Sequence, residues 1–457
     1  MSLIHLSLRD AARVVAVLAL AASAAGCEKD NPNFCAGDDP RPECNVDARP
    51  IDAREGCTAN PELCAADEDC LDNVCVDCTG ADDHQDADCT DPAAPVCDVS
   101  RDCRACAADS ECDSDFCDQG ACAPENSVLF VEVTSGSDSG DNTCASKASP
   151  CRTLTHALSK VPPTNGAPAQ NRRYIKLLTT GTYAEPGMVI IDDKTVVIVG
   201  APPTGGNRSV IDRSTMGQTM EIKGQAHVRL ERLAVNDANG NAAKGIECKE
   251  SATLLADGIE VANNSGIGIV GDPCTLILRD SVVTRSAGGG VSVTNGRVVL
   301  VNNVIVDNGG NTSSSFGGLR LDVGVDPTSV VQSNTVAGNN AMATDGITCL
   351  NDTITVLNSI VFGDGLKARI AGTCIFDHTL YGPDDPGALL GTARGNMLVP
   401  NMAAFMFRGP ADYHLDPGSI AKGKGTVTGL APEAAKDLDG QPRPQGAPDV
   451  GADEIPD

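Results

Sequence analysis

The sequence predicts an all-β chain whose larger part is wound as a parallel β-helix, and three observations predict it. First, across about residues 227–381 a polar residue followed two places later by an aliphatic one recurs. The pairs are Asp257/Ile259, Asp280/Val282, Asn303/Ile305, Asn334/Val336, Asn358/Ile360 and His378/Leu380, at steps of 23, 23, 31, 24 and 20 residues. Second, a Gly-aliphatic-x-apolar track starts at Gly245, Gly266, Gly290, Gly318 and Gly346, at steps of 21, 24, 28 and 28. Third, short runs rich in β-branched residues, such as 275–278, 298–301 and 354–357, lie between Gly, Asn, Asp and Pro. Two tracks sharing one period mean one structural unit per repeat, stacked on its neighbours. No helical stripe of ten or more residues fits between the runs. A βαβ unit, whose crossover needs roughly a dozen residues, is therefore excluded. In a coil, the aliphatic members (Val282, Ile305 and Ile360 among them) are expected to stack inside as the core. The Asn and Asp members are expected to stack at a turn and satisfy backbone groups there. The 31-residue step holds the polar insertion 309–315.

The opening of this region carries a resemblance. Gly181-Thr182-Tyr183-Ala184-Glu185 followed by Thr195-Val196-Val197-Ile198-Val199-Gly200 is similar to the first coil of exported bacterial β-helix proteins. From about residue 129 to 381 the chain resembles the right-handed parallel β-helix proteins of the pectate-lyase-like superfamily. That family includes sugar lyases and hydrolases and also surface proteins without known activity. The resemblance thus implies a right-handed coil, a single solenoid of residues 128–385, and leaves function open.

Taken in order, residues 1–26 read as an export signal, with Arg9 and Arg13 ahead of a short apolar core at 14–22. That core is too short for a spanning helix, which needs about 20 apolar residues. Ala24-Ala25-Gly26-Cys27 then resembles a bacterial lipobox, which implies a lipid on Cys27 and attachment to the membrane through it. The competing reading is an ordinary cleaved signal with Cys27 in a disulfide. Glu28, where Asp would suggest inner-membrane retention, implies the outer membrane or cell surface. Of the 21 cysteines, 20 remain after Cys27, an even number that suits disulfides behind an export signal.

Residues 27–56 are rich in Asp, Pro and Arg and are expected to form a flexible acidic linker. Residues 57–125 hold three units of four cysteines: 57/64/70/75, 78/89/97/103 and 106/112/117/122. Units one and three share their internal spacing and an Ala-Ala-Asp-x-[Asp/Glu]-Cys run at 65–70 and 107–112. Repeats this small cannot bury a core, so disulfides must hold them; spacing allows three connectivities per unit. Two other readings compete. Cys75-x2-Cys78 and Cys103-x2-Cys106 fit zinc or redox chemistry, and Asp67, Asp69, Asp72, Asp109, Asp113 and Asp115 fit weak calcium binding. The acidic cluster of the C-terminal stretches 412–419, 437–443 and 449–454 could also hold a calcium, although a structural finishing segment is the preferred reading; beyond that, no cofactor is expected. From 28 to 127 there are 27 acidic and 6 basic residues, a net of −21 out of −28 for the whole chain. This reads as a solvated, self-repelling stalk and excludes nucleic acid as a partner.

Leu154, Ala157, Leu158 and Val161 form one apolar helical face stopped by Pro162-Pro163, with Cys144 and Cys151 expected to close a small loop just before it. The resemblance implies that this helix caps the N-terminal end of the coils. Cys248 and Cys349 occupy the last apolar place of the glycine track, with Ile269 and Ile370 as expected stack-mates. Cys274 and Cys374 follow those mates by five and four residues. Coils about 4.8 Å apart suit disulfide geometry, so Cys248–Cys274 and Cys349–Cys374 are expected as coil-to-coil bonds, with buried thiols as the alternative. Residues 386–457, with Asp437-Leu438-Asp439-Gly440 and Asp449-Val450-Gly451-Ala452-Asp453-Glu454, resemble the closing segment of bacterial surface β-helix proteins.

For catalysis, the polar candidates are Arg279, Asp280 and Arg285 with Asp257 one coil away, but the two Asp already belong to the turn track. With no Trp and four Tyr, stacking platforms for sugar rings are scarce. No catalytic residue is assigned. The expected function is a lipid-anchored envelope protein that presents a rigid β-helix for adhesion, binding or a structural role, to a glycan or a surface protein. The alternatives are a polysaccharide lyase or glycoside hydrolase on the same scaffold, and a ligand-binding module in the cysteine-rich repeats.

Overall fold

Short β-branched runs separated by tight turns give strands that pair in parallel with their equivalents one coil away. The computed structural model describes residues 69–71, 74–76, 78, 83–164, 172–310, 314–324, 326, 328–350, 354–363, 368–382, 394–409, 412–444 and 446–456. The chain divides into two compact units, Met1–Asp82 with Cys97–Cys103, and Asp83–Val96 with Arg104–Asp457. In the first, Asp69–Leu71 pairs antiparallel with Val74–Val76, and Cys78 is bonded to Cys97. The predicted signal, Cys27, the whole linker and most of the first cysteine unit lie outside the described residues.

The second unit holds the parallel β-helix, with three walls. One wall runs from Val189–Asp192 through Leu319–Asp322 to Ala368–Gly372. The next runs from Val128–Val131 through Val298–Val301 to Ile375–Asp377. Two long strands, Ile246–Asp257 and Ile267–Arg279, turn the corner between them and make them one sheet. The third wall stacks ten strands among the described residues, from Gly181–Glu185 to Met397–Leu398. Alternation sends every second side chain inward. The inner row of the third wall is Tyr183, Ile211, Val235, Val261, Val283, Ile305, Val336, Val361 and Tyr381. All nine belong to one continuous core.

The register corrects both predicted tracks. Val282 and Ile360 share a row with Val304, Thr335 and Leu380, one place before Ile305. That row faces outward, and its Val304, Ile360 and Leu380 pack in a second apolar cluster. The polar track likewise mixes three positions. Asp257 pairs with Arg279 in the strand, while Asp280, Asn358 and His378 have left-handed backbones at the turn. Asn303 and Asn334 sit one place further on, inside. There Ser281, Asn303, Asn334, Ser359, Thr379 and Asn396 follow one another coil by coil, all buried. Asn303 Oδ1 accepts the Ser281 N–H at 3.2 Å, and Asn334 Oδ1 accepts the Asn303 N–H at 3.0 Å.

A second ladder, unforeseen from sequence, fills the other end of the third wall. Asn264, Ser286, Asn308 and Asn339 are buried, and Asn339 Oδ1 accepts the Asn308 N–H at 2.9 Å. The glycine track exists because the next coil's carbonyl, an inner aliphatic side chain and this ladder leave no room for a Cβ. A Cβ on Gly290 would stand 2.6 Å from the Gly318 carbonyl oxygen and 3.1 Å from Asn308 Nδ2. A Cβ on Gly268 would stand 2.9 Å from the Gly290 oxygen, whereas Gly266 lies two places earlier than its supposed equivalents. The true row is Gly245, Gly268, Gly290, Gly318 and Gly346, with Gly268 in place of Gly266. Accordingly Ile246 stacks on Ile269, and Cys248 on Gly271; Cys349 stacks on Gly372 rather than on Ile370.

The predicted helix forms at Leu154–Ser159, with Thr153 accepting the His156 N–H as N-cap. Leu154, Ala157, Leu158 and Val161 are buried against Val131, Leu177, Tyr183 and Ile191 at the N-terminal end of the coils. Buried Glu185, from the first coil, accepts the N–H groups of Leu154 at 2.7 Å and Thr155 at 3.0 Å. At the other end the chain does not stop over the last coil. After Met397–Leu398, the last strand of the third wall, the chain from residue 400 returns along the outside of that wall, where Phe405, Leu415, Ala421, Val450 and Ile455 cover the outer apolar row. Turn residues moor this segment. Asn358 receives the Thr426 N–H and donates to the Thr426 carbonyl, and Gln332 does the same for Ala431 and Gly429. Buried Arg443 reaches Asn302 Oδ1 at 3.1 Å and Glu454 at 2.9 Å.

Candidate functional site

The outer face of the second wall begins with Val128, Phe130, Tyr174, Val197 and Val199, an apolar strip that needs cover. The last cysteine unit supplies it through Phe116 and Ala123, with the Phe116 and Tyr174 rings 4.7 Å apart. Cys106–Cys117 and Cys112–Cys122 hold the unit in shape. Asp118 then takes a hydrogen bond from Tyr174 Oη at 2.9 Å and an ion pair from Arg229. Asp109 pairs with Lys176 at 2.9 Å, and the Asp115 carboxylate pairs with Lys147. The expectation of a freely solvated acidic stalk is thus corrected for this unit: its carboxylates meet a basic patch on the coils.

Beside this contact a cleft of about 790 Å³ opens. Asp109, Asp115, Lys147 and Lys176 line one side, and Glu231, Arg232, Asp257 and Gly258 the other. Its volume falls in the range of small-ligand sites, but its lining mixes charged side chains with small apolar residues such as Ala107, Ala108 and Pro202 and holds no aromatic ring. Burial pushes the Glu231 carboxyl upward, with Arg229 opposing. Arg279 Nη2 holds Asp257 at 2.7 Å. Burial, reinforced by the Asp257 charge and opposed by a hydrogen bond from Asn302, pushes Asp280 up to about 6.

The predicted polar group is therefore only partly assembled. Asp257 lines the cleft and Arg279 pairs with it from the next coil, while Asp280 follows Arg279 in the chain and is not part of the lining. Arg285 is at the far side of the third wall, bonded to Asn263 Oδ1 at 2.7 Å. Sequence reasoning missed Glu231, Arg232 and Lys176, and gave Asp109 a calcium role instead of this one, because the contact joins segments far apart in the chain. The acids proposed for calcium have other partners: Asp109 takes Lys176, Asp113 faces His84 at 3.5 Å, and Asp115 takes Lys147. Asp67 and Asp72 lie outside the described residues.

The cysteines are placed as follows. Cys144 is bonded to Cys151, Cys248 to Cys274 and Cys349 to Cys374, the last two with Cα separations of 5.7 and 5.5 Å. In the Cys-x2-Cys motifs, Cys78 is bonded to Cys97, Cys106 to Cys117, and Cys103 is also in a disulfide. None of those three sulfurs is a free thiolate.

A second, smaller groove of about 340 Å³ lies on the uncovered half of the third wall, lined by Arg208, Asn236 and Glu260 among others. Among the described residues no helix is long and apolar enough to cross a membrane.

No protein-family model matches this chain, and no curated protein matches it. Among solved structures, the crystal structure of the pectate lyase Pel9A aligns with a TM-score of 0.44 and 14% identity, over 72% of this chain and 96% of that one.

Proposed function

We propose that this is an exported, lipid-anchored protein of the bacterial envelope, whose β-helix and docked cysteine unit together present a polar cleft to a glycan or a surface protein. The cleft carries the reading. It is built from two segments locked together by Asp118, Arg229, Asp109 and Lys176, so its walls are preorganised. Export is supported by chemistry: fourteen of the cysteines are in disulfides, which persist in oxidising compartments. Attachment through Cys27 places the protein at the outer membrane or cell surface. Intact-mass analysis of the mature N-terminus tests the anchor; an unmodified Cys27 sinks that part. Glycan-array and whole-cell binding by purified protein tests the cleft. Arg232→Ala with Asp257→Ala is expected to abolish binding, and unchanged binding sinks the cleft assignment.

A polysaccharide lyase or hydrolase is the second reading. Asp280, whose carboxyl is pushed up to about 6 by burial and by the Asp257 charge, has the raised pKa that a general acid requires, one coil from the Asp257 that lines the cleft. Release of unsaturated or reducing ends from a panel of acidic and neutral polysaccharides, lost in Asp280→Asn, would establish it.

A further inference from the structure

The returning segment, from residue 400 onward, contains no cysteine, although disulfides bond the parts before it. It brings together a different set of cross-linking groups. His414 is in the hairpin strand Asp412–Leu415, Asp439 in the turn after Leu438, and Asp453 near the C-terminus. One ligand atom from each lies within 4.8 Å of the others. His414 Nε2 is 3.2 Å from Asp439 Oδ2. That spacing matches two corners of a tetrahedron with metal bonds of about 2.0–2.2 Å. The other ring nitrogen, Nδ1, is bonded to Asp412. A carboxylate on Nδ1 orients an imidazole so that Nε2 faces a metal, the usual support for a histidine ligand. Asp453 is buried, and the Leu415 N–H fixes its Oδ2 at 2.6 Å, so one arm of the set is held rigidly by backbone.

We propose that His414, Asp439 and Asp453 bind one divalent transition-metal ion of the zinc type, with Asp412 as the residue that positions His414. An imidazole ligand with two carboxylates selects such an ion over calcium or magnesium, which take oxygen ligands. The ion joins three stretches of the returning segment and does there what disulfides do in the coils. Asp439 is exposed, so the fourth position is open to water.

The test uses the full mature chain, stripped with chelator and titrated calorimetrically with Zn²⁺, Mn²⁺ and Ca²⁺. One equivalent of Zn²⁺ should bind, protect residues 412–456 from hydrogen exchange and outcompete Ca²⁺. His414→Ala and Asp439→Asn should each remove the binding, and Asp412→Asn should weaken it by about tenfold to a hundredfold. Asp439→Asn alters an exposed side chain, so retained coil unfolding in that variant separates lost binding from lost folding. Absence of stoichiometric Zn²⁺ binding, calcium preference, or undiminished binding in both His414→Ala and Asp439→Asn overturns the proposal.

Discussion

Asn303 uses its whole amide. Its Nδ2 donates to the Leu278 carbonyl at 2.8 Å and to Asn334 Oδ1 at 3.0 Å, while its Oδ1 receives the Ser281 N–H. Asn303→Ala strands buried backbone groups on both sides and is expected to cost about 2–4 kcal/mol in denaturant unfolding. Asn303→Ser should cost less, because Ser281 and Ser359 already serve at this position in other coils. The sequence showed that Asn recurs but not which Asn faces inward, since Asn302-Asn303 and Ser333-Asn334 each offer two polar residues in succession. The separating clue is the five-residue spacing Asn303/Asn308 and Asn334/Asn339, which matches the two ladders bracketing one wall. Asp280 predicts a pH effect. Its value near 6 lies above the free carboxyl, so its protonated form favours the fold. That contribution is complete below about pH 4 and is lost as pH rises through about 6. Asp280→Asn should therefore stabilise by about 1 kcal/mol at pH 8, after allowance for solvent screening, and be neutral at pH 4. Equal effects at both pH values would exclude this origin.

At the scale of the element, the last cysteine unit is a small disulfide-held body on an apolar strip. Phe116 is buried and is its main anchor. Phe116→Ala is expected to weaken docking by about 3 kcal/mol and expose 104–123 to protease, while the main unfolding transition of the coils stays in place. Loss of both together would mean that the unit is integral to the coils. This docking was illegible in sequence, because Phe116 and the strip at 128–130, 174 and 197–199 are read as unrelated segments. The glycine row was nearly legible. Gly266 and Gly268 both begin an aliphatic pair, and only the ladder beneath decides between them.

In the whole molecule, a coil interacts only with its neighbours, so lateral cover matters as much as the core. Removing the chain from residue 400 onward would expose Val304, Ile360, Phe362 and Leu380 together. That truncation is expected to bind hydrophobic dye and self-associate while retaining parallel-sheet circular dichroism; a monodisperse product would contradict the account. Fold class was legible because the period and strand chemistry agree; the outward apolar row was not, because inward and outward aliphatics look alike. The disulfide wiring carries a last consequence. In the coils every bond joins cysteines that are immediate successors in the chain: Cys144 to Cys151, Cys248 to Cys274, Cys349 to Cys374. Pairing them as they emerge from a translocon yields the right product with an oxidase alone. Cys78–Cys97 spans Cys89, and Cys106–Cys117 interlaces with Cys112–Cys122, so the same first-come pairing scrambles them. A host without an isomerase should secrete sound coils carrying a misbridged N-terminal module.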